Sequence, residues 1–187
     1  MRIVGGRLRG RPLAAPRSHA IRPTADRLRE AVFNILVHAY GDPVTDARVL
    51  DLFAGTGALG IEAVSRGAGF ALFVDQDAEA RALLRENVAA LGLGGTTRIF
   101  RRDATRLGPA HPLEPFSLVF LDPPYSKGLA EQALISARDG GWLSADALAI
   151  VEEAVDAAFA APAGFEEIER RDYDTTQVMF LRLARIA

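Results

Sequence analysis

The chain of 187 residues contains no cysteine. Disulfides, thiolate metal sites and cysteine nucleophiles are therefore excluded. Only three histidines are present, His19, His38 and His111, so a histidine-based metal cluster is not expected either and no metal ligand is assigned. Lysine is reduced to Lys127, which leaves arginine to carry almost all the positive charge. Long apolar runs are missing as well. Met1–Arg11 carries arginines where a signal peptide needs its apolar stretch, and no later run approaches the roughly 18 apolar residues of a membrane span. The expectation is a cytoplasmic protein, without membrane contact and monomeric. At 49% apolar residues the chain suffices for one globular domain and leaves little room for a second.

The formal net charge of −2 conceals an asymmetry. In the first 30 residues Arg2, Arg7, Arg9, Arg11, Arg17, Arg22, Arg27 and Arg29 face only Asp26 and Glu30, a net +6, which leaves −8 on the remainder. A basic arm on an acidic body suits a polyanionic partner, although the same arginines would serve as a solvated surface.

Residues 1–22 hold short apolar pieces (Ile3, Val4, Leu8, Leu13) broken by glycine and proline, as in a small β-hairpin or an extended arm. Pro23-Thr24 then signals a helix with Thr24 as its N-cap. Leu28, Val32, Ile35, Leu36 and Ala39 share one face of that helix, and Arg27, Glu30, Asn34 and His38 the other. Beyond residue 48, strand, turn and helix alternate. Strands are expected at 49–53, 71–74, 97–100, 117–121 and 148–152, and helices at 59–65, 77–91 and 130–137. Strands at 165–171 and 178–183, joined by a turn at 172–176, end the chain. The fold expected is α/β, a mostly parallel seven-stranded sheet with an antiparallel C-terminal edge and a small N-terminal hairpin and helix extension. Residues 1–22 are the arm and 23–187 the main domain.

The stretch from Asp51 to Gly60 contains G-x-G-x-x-G at Gly55, Gly57 and Gly60, after a strand and before a helix, where a nucleotide-type cofactor sits. Alone the motif is weak. A dinucleotide pyrophosphate would meet the carboxylate of Asp51, which repels phosphate but suits the ammonium and sulfonium charges of S-adenosylmethionine. Asp75 ends the next strand, where an acidic side chain accepts ribose hydroxyls, and Asp103 follows the third, toward the adenine. For Asp103 a helix N-cap is an equally good reading. Phe53, Ala54, Gln76 and Ala104, beside these residues, complete the expected cofactor contacts.

Asp122-Pro123-Pro124-Tyr125 follows the apolar stretch 117–121. An exocyclic amine on a nucleic-acid base is a poor nucleophile because its lone pair is delocalised into the ring. Two acceptors hydrogen-bonded to its N–H groups, the Asp122 carboxylate and the Pro123 carbonyl, localise that lone pair. The prolines fix the backbone that presents the carbonyl, and Tyr125 offers a ring for the base to stack on. The tetrapeptide therefore points to methyl transfer onto an exocyclic nitrogen, but not to one base. It could instead be a rigid loop after a strand.

With both motifs in place, the chain resembles the class I methyltransferases, and more narrowly the RsmD family of bacterial 16S ribosomal RNA guanine-N2 methyltransferases. The discriminating residues are N-terminal: Arg2-Ile3-Val4-Gly5-Gly6, Arg9-Gly10-Arg11, Arg22-Pro23-Thr24, Asp26-Arg27, Arg29-Glu30 and Phe33-Asn34. The family often has Phe where Tyr125 stands. The resemblance implies a Rossmann-like fold, S-adenosylmethionine as cofactor, and 16S rRNA within the small subunit or an assembly intermediate as partner. It also implies RNA contacts at Arg7, Arg9, Arg11, Arg22, Thr24 and Arg27. Rival readings are an adenine-N6 or cytosine-N4 DNA methyltransferase, which usually needs a recognition region this length lacks, and a noncatalytic RNA-binding assembly factor. A protein-glutamine methyltransferase is disfavoured by Asp122 in place of Asn, and an NAD-dependent oxidoreductase by Asp51.

Overall fold

A computed structural model describes residues 1–16, 23–125 and 127–184, with side chains for all of these except 23–25. Helix α1 spans Pro23–Ala39. It begins at Pro23, whose fixed φ and missing N–H suit the first helical position, so Thr24 lies inside the first turn and is not the cap. Leu28, Val32, Ile35 and Leu36 are buried, while Arg27, Glu30, Asn34, His38 and also Ala39 are exposed.

The sheet follows from runs that are apolar on both faces. Strands β1 (Arg48–Leu52), β2 (Phe70–Val74) and β4 (Phe116–Leu121) are almost wholly buried, and β3 (Thr97–Phe100) lies beyond β2. Alternate residues serve two cores. Val49, Phe73, Phe120 and Ile150 pack with α1, with α2 (Ala58–Ser65) through Ile61 and with α3 (Ala78–Ala90) through Leu84. Leu50, Leu72, Val119 and Leu121 pack against Leu134 of α4 (Leu129–Asp139) and against Trp142.

Strand β5 (Leu143–Ala154) pairs parallel with β4, and β7 (Thr176–Leu183) pairs antiparallel with both β5 and β6 (Phe165–Tyr173). The order β3-β2-β1-β4-β5-β7-β6 is that of a Rossmann-like, mostly parallel seven-stranded sheet with an antiparallel C-terminal edge. Strand β5 starts five residues before the expected 148. Its early half bends at Asp146 (φ 61°), where the β4 register shifts, and this hides the strand from a periodicity reading.

The arm closes into a hairpin-like loop. Arg2 bridges Pro12 antiparallel, and Gly10 N–H donates to the Ile3 carbonyl at 2.8 Å. It is docked on the body: Val4 N–H donates to Glu62 Oε2 (2.9 Å), Leu8 N–H to Ser65 Oγ (3.0 Å) and Ala14 N–H to Asn87 Oδ1 (2.7 Å). Ile3 and Leu13 join the core beside α1.

Candidate active site

From β1 the chain moves outward to β2 and β3, then returns to place β4 on the other side of β1. Connections therefore diverge above the carboxyl ends of β1 and β4, and a crevice opens there. A cleft of about 680 Å³ fills it, walled by Phe53, Asp75, Gln76, Arg102, Ala104 and the tetrapeptide Asp122–Tyr125. That size is within the range of roughly 300–1,000 Å³ usual for small-molecule sites. A recess of about 190 Å³ is lined by Arg29, Asp51, Ala54, Gly55, Asp122 and Glu152, among others.

The turn after β1 is held by carboxylates. Buried Asp51 accepts the N–H of Gly60 on Oδ2 at 2.9 Å. Asp75 accepts the N–H of Gly55 on one oxygen and that of Asp77 on the other, both at 2.8 Å, and so ties the β1 turn to the β2 turn. The glycines divide by role. A Cβ on Gly57 would fall 2.3 Å from Leu84 Cδ1, and one on Gly60 would fall 2.4 Å from the Phe73 ring. Gly57 permits the close approach of α3 to the turn, and Gly60 that of α2 to the sheet. Gly57, expected at the cofactor, lines neither cavity, whereas Gly55 lines the recess.

Asp103 takes the capping role, the alternative reading for it. Its Oδ1 accepts the Thr105 N–H (2.9 Å) and hydroxyl (2.7 Å), capping a 3-10 turn over Ala104–Arg106, and its neighbours Arg102 and Ala104 line the cleft in its place. Arg102, which the sequence did not single out among its many arginines, lies over the Phe100 and Trp142 rings at 5.5 Å each.

In the tetrapeptide Pro123 is buried and Pro124 exposed. The Tyr125 hydroxyl donates to Glu152 Oε1 at 2.9 Å and lies 3.4 Å from Thr176 Oγ1. Glu152 is a second residue the sequence reading missed, because it is one of two successive glutamates near the end of an apolar strand. Asp122 opens onto the solvent of the cleft yet is surrounded by protein. Its carboxyl is pushed well above the usual range by desolvation, then by the charges of Glu152, Asp51 and Glu153. Burial raises Glu152 as well, against the hydrogen bond from Tyr125 and the charge of Arg29. Asp51 rises to about 8, chiefly through burial, with the Gly60 hydrogen bond opposing and Asp75 adding. Burial and then the Glu152 charge raise the Tyr125 hydroxyl. Carboxylates that hold their protons this strongly favour a cationic occupant.

Arg7, Arg9, Arg11 and Arg27 are exposed, and Arg11 donates to the Ala90 carbonyl at the C-terminus of α3 (3.1 Å). Arg22 and the Thr24 side chain lie outside the described residues. On α1 an ion pair joins Arg29 to Asp26 at 2.8 Å. Among the described residues no group of three acidic or histidine side chains converges as a metal site, and no helix is long and apolar enough to cross a membrane.

The family model described as conserved hypothetical protein 95 matches residues 1–182. The ribosomal RNA small subunit methyltransferase D of Escherichia coli K12 is 41% identical over 156 residues, covering 83% of this chain and 76% of that one. The protein of the same name from Haemophilus influenzae is 32% identical over 185 residues, 98% and 92% of the two chains. The solved structure of yhhF from Escherichia coli matches with a TM-score of 0.82 at 33% identity, over 98% of both chains.

Proposed function

Because the chain belongs to the RsmD family of small-subunit ribosomal RNA methyltransferases, we propose that it methylates the exocyclic N2 of a guanine in 16S rRNA, using S-adenosylmethionine, on the small subunit or an assembly intermediate. One observation carries the reading: Asp122 of the tetrapeptide lines both the large cleft and the recess, so the group suited to accept an amine N–H stands at the boundary between two binding spaces.

The residues present fit the cofactor. Asp51 answers its ammonium and sulfonium charges, Asp75 and Gln76 its ribose, and Phe53, Arg102 and Ala104 its adenine. Bound there, the cofactor supplies an electrophilic methyl group. The protein's part is to orient the amine. Asp122 and the Pro123 carbonyl accept its two N–H groups and localise the nitrogen lone pair, the prolines hold that carbonyl rigid, and Tyr125 stacks on the base. The methylated nitrogen is cationic and sheds a proton readily. No strong base is needed to take it, and the Asp122 carboxylate, already accepting an N–H of the amine, is placed to do so. The exposed arginines of the arm hold the phosphate backbone.

Labelled-methyl transfer to naked rRNA, small subunits and DNA in parallel, with the product nucleoside identified, tests the assignment. N2-methylguanosine in RNA is expected, and transfer to DNA alone would overturn it. Asp122→Ala is expected to lower transfer by about 10²-fold or more while cofactor binding persists. Equal loss of both would remove Asp122 from the chemistry.

A further inference from the structure

The tetrapeptide suits any exocyclic amine, so base choice has to come from another group in the cleft. Strands β4 and β5 run parallel with Leu121 opposite Val151, so Asp122, the first residue past the end of β4, and Glu152, on β5, each follow a member of that pair. Both line the recess. Glu152 is held in place, since its Oε1 accepts the Tyr125 hydroxyl, which also approaches Thr176 on β7. The ring assigned to stacking and the Glu152 carboxylate thus form one hydrogen-bonded unit beside Asp122.

We propose that Glu152 selects guanine by accepting its N1–H while Asp122 and the Pro123 carbonyl accept the adjacent N2 amine, an inference that rests on the guanine-N2 reading above. Guanine presents two neighbouring donors on its Watson–Crick edge, N1–H and N2–H2. Adenine and cytosine place a bare ring nitrogen, an acceptor, beside their amine. Two adjacent carboxylates match the first pattern. Against the second, the lone pair of the ring nitrogen faces the Glu152 carboxylate, and the oxygen that does not accept the Tyr125 hydroxyl gains no donor from the base. Sites built to receive a hydrogen bond reject a substrate lacking it far more strongly than apolar pockets reject a change of size. Asp122 alone contacts only the amine that all three bases share.

The test uses small subunits reconstituted with rRNA carrying, at the mapped target nucleotide, either guanine or 2-aminopurine, which keeps the N2 amine but has an unprotonated N1. Glu152→Gln places an amide donor opposite N1, while its carbonyl oxygen still accepts the Tyr125 hydroxyl. The guanine to 2-aminopurine ratio of kcat/KM is expected to fall about tenfold or more in Glu152→Gln, the scale of one hydrogen bond to a charged group. In Tyr125→Phe, which removes the tether but keeps the carboxylate, the ratio is expected to fall less than in Glu152→Gln. Being measured within one preparation, it is independent of the folded fraction. An unchanged ratio in Glu152→Gln, or an equal fall in Tyr125→Phe, overturns the role of Glu152 even though wild type makes N2-methylguanosine. A wild type that makes none overturns the parent reading instead.

Discussion

Asp51 carries the largest electrostatic consequence of any single residue in the glycine turn. It is almost wholly buried at the wall of the recess with one backbone N–H as partner, and its carboxyl rises from the ordinary 3.8 to about 8. A raised carboxyl contributes stability that is fully present below about pH 4 and is lost as pH rises through about 8, because the folded state then has to bury the charge. Asp51→Asn should therefore flatten the fall in thermal midpoint of the ligand-free protein between pH 5 and pH 8.5, and a parallel fall in the variant would refute the assignment. The same ionisation should govern a cationic ligand. S-adenosylmethionine, the cofactor we propose, is expected to bind more tightly as pH rises through this window, with protons released on binding, and calorimetry in two buffers should find that dependence gone in Asp51→Asn. That Asp51 matters could be read from its place one turn before the glycines. That Gly57 serves Leu84 and that Asp103 caps its own turn could not, since both depend on how closely separate elements approach.

Among elements, the arm and α2 depend on each other through a residue that composition hides. Glu62 is wholly buried and accepts from Arg29 (3.4 Å), Arg66 (2.7 Å) and the Val4 N–H (2.9 Å), while Arg66 also covers the Phe33 ring at 5.0 Å. Removing the carboxylate leaves two guanidinium groups and a backbone donor without it, a change that typically costs about 3–5 kcal/mol. Glu62→Ala is expected to lower stability by that order in urea unfolding, with Glu62→Gln losing less; a loss below about 1 kcal/mol would mean the cluster contributes little. Helices and central strands were legible from apolar spacing because burial sets both. The docking of the arm was not legible, since Glu62, Ser65 and Asn87 stand 57 to 73 residues from the backbone groups they satisfy and resemble ordinary polar positions on α2 and α3.

For the molecule as a whole, the docked arm turns an asymmetry of sequence into one of surface. Met1 lines the recess beside Asp51 and Asp122, so the basic hairpin starts at the rim of the acidic site, with Arg7 and Arg9 exposed beyond it. A polyanion attracted to the arm is thereby brought to the cleft, whose acidic lining is left for a base and a cation. If the arm engages phosphates, as we propose, replacing Arg7, Arg9 and Arg11 together with alanine should weaken RNA binding and flatten the plot of log affinity against log salt by about 0.7–0.9 for each phosphate that is no longer neutralised. Arg11 already donates to the Ala90 carbonyl, so Arg11→Ala alone should change the slope less than Arg7→Ala or Arg9→Ala. Binding titrations between about 50 and 200 mM salt distinguish these cases. Because these arginines stand outside the cleft, KM for RNA should rise in the triple variant while kcat at saturating RNA stays near wild type. An unchanged salt slope would show that the arginines are merely solvated, and a fall in kcat at unchanged KM would place them in the chemistry instead.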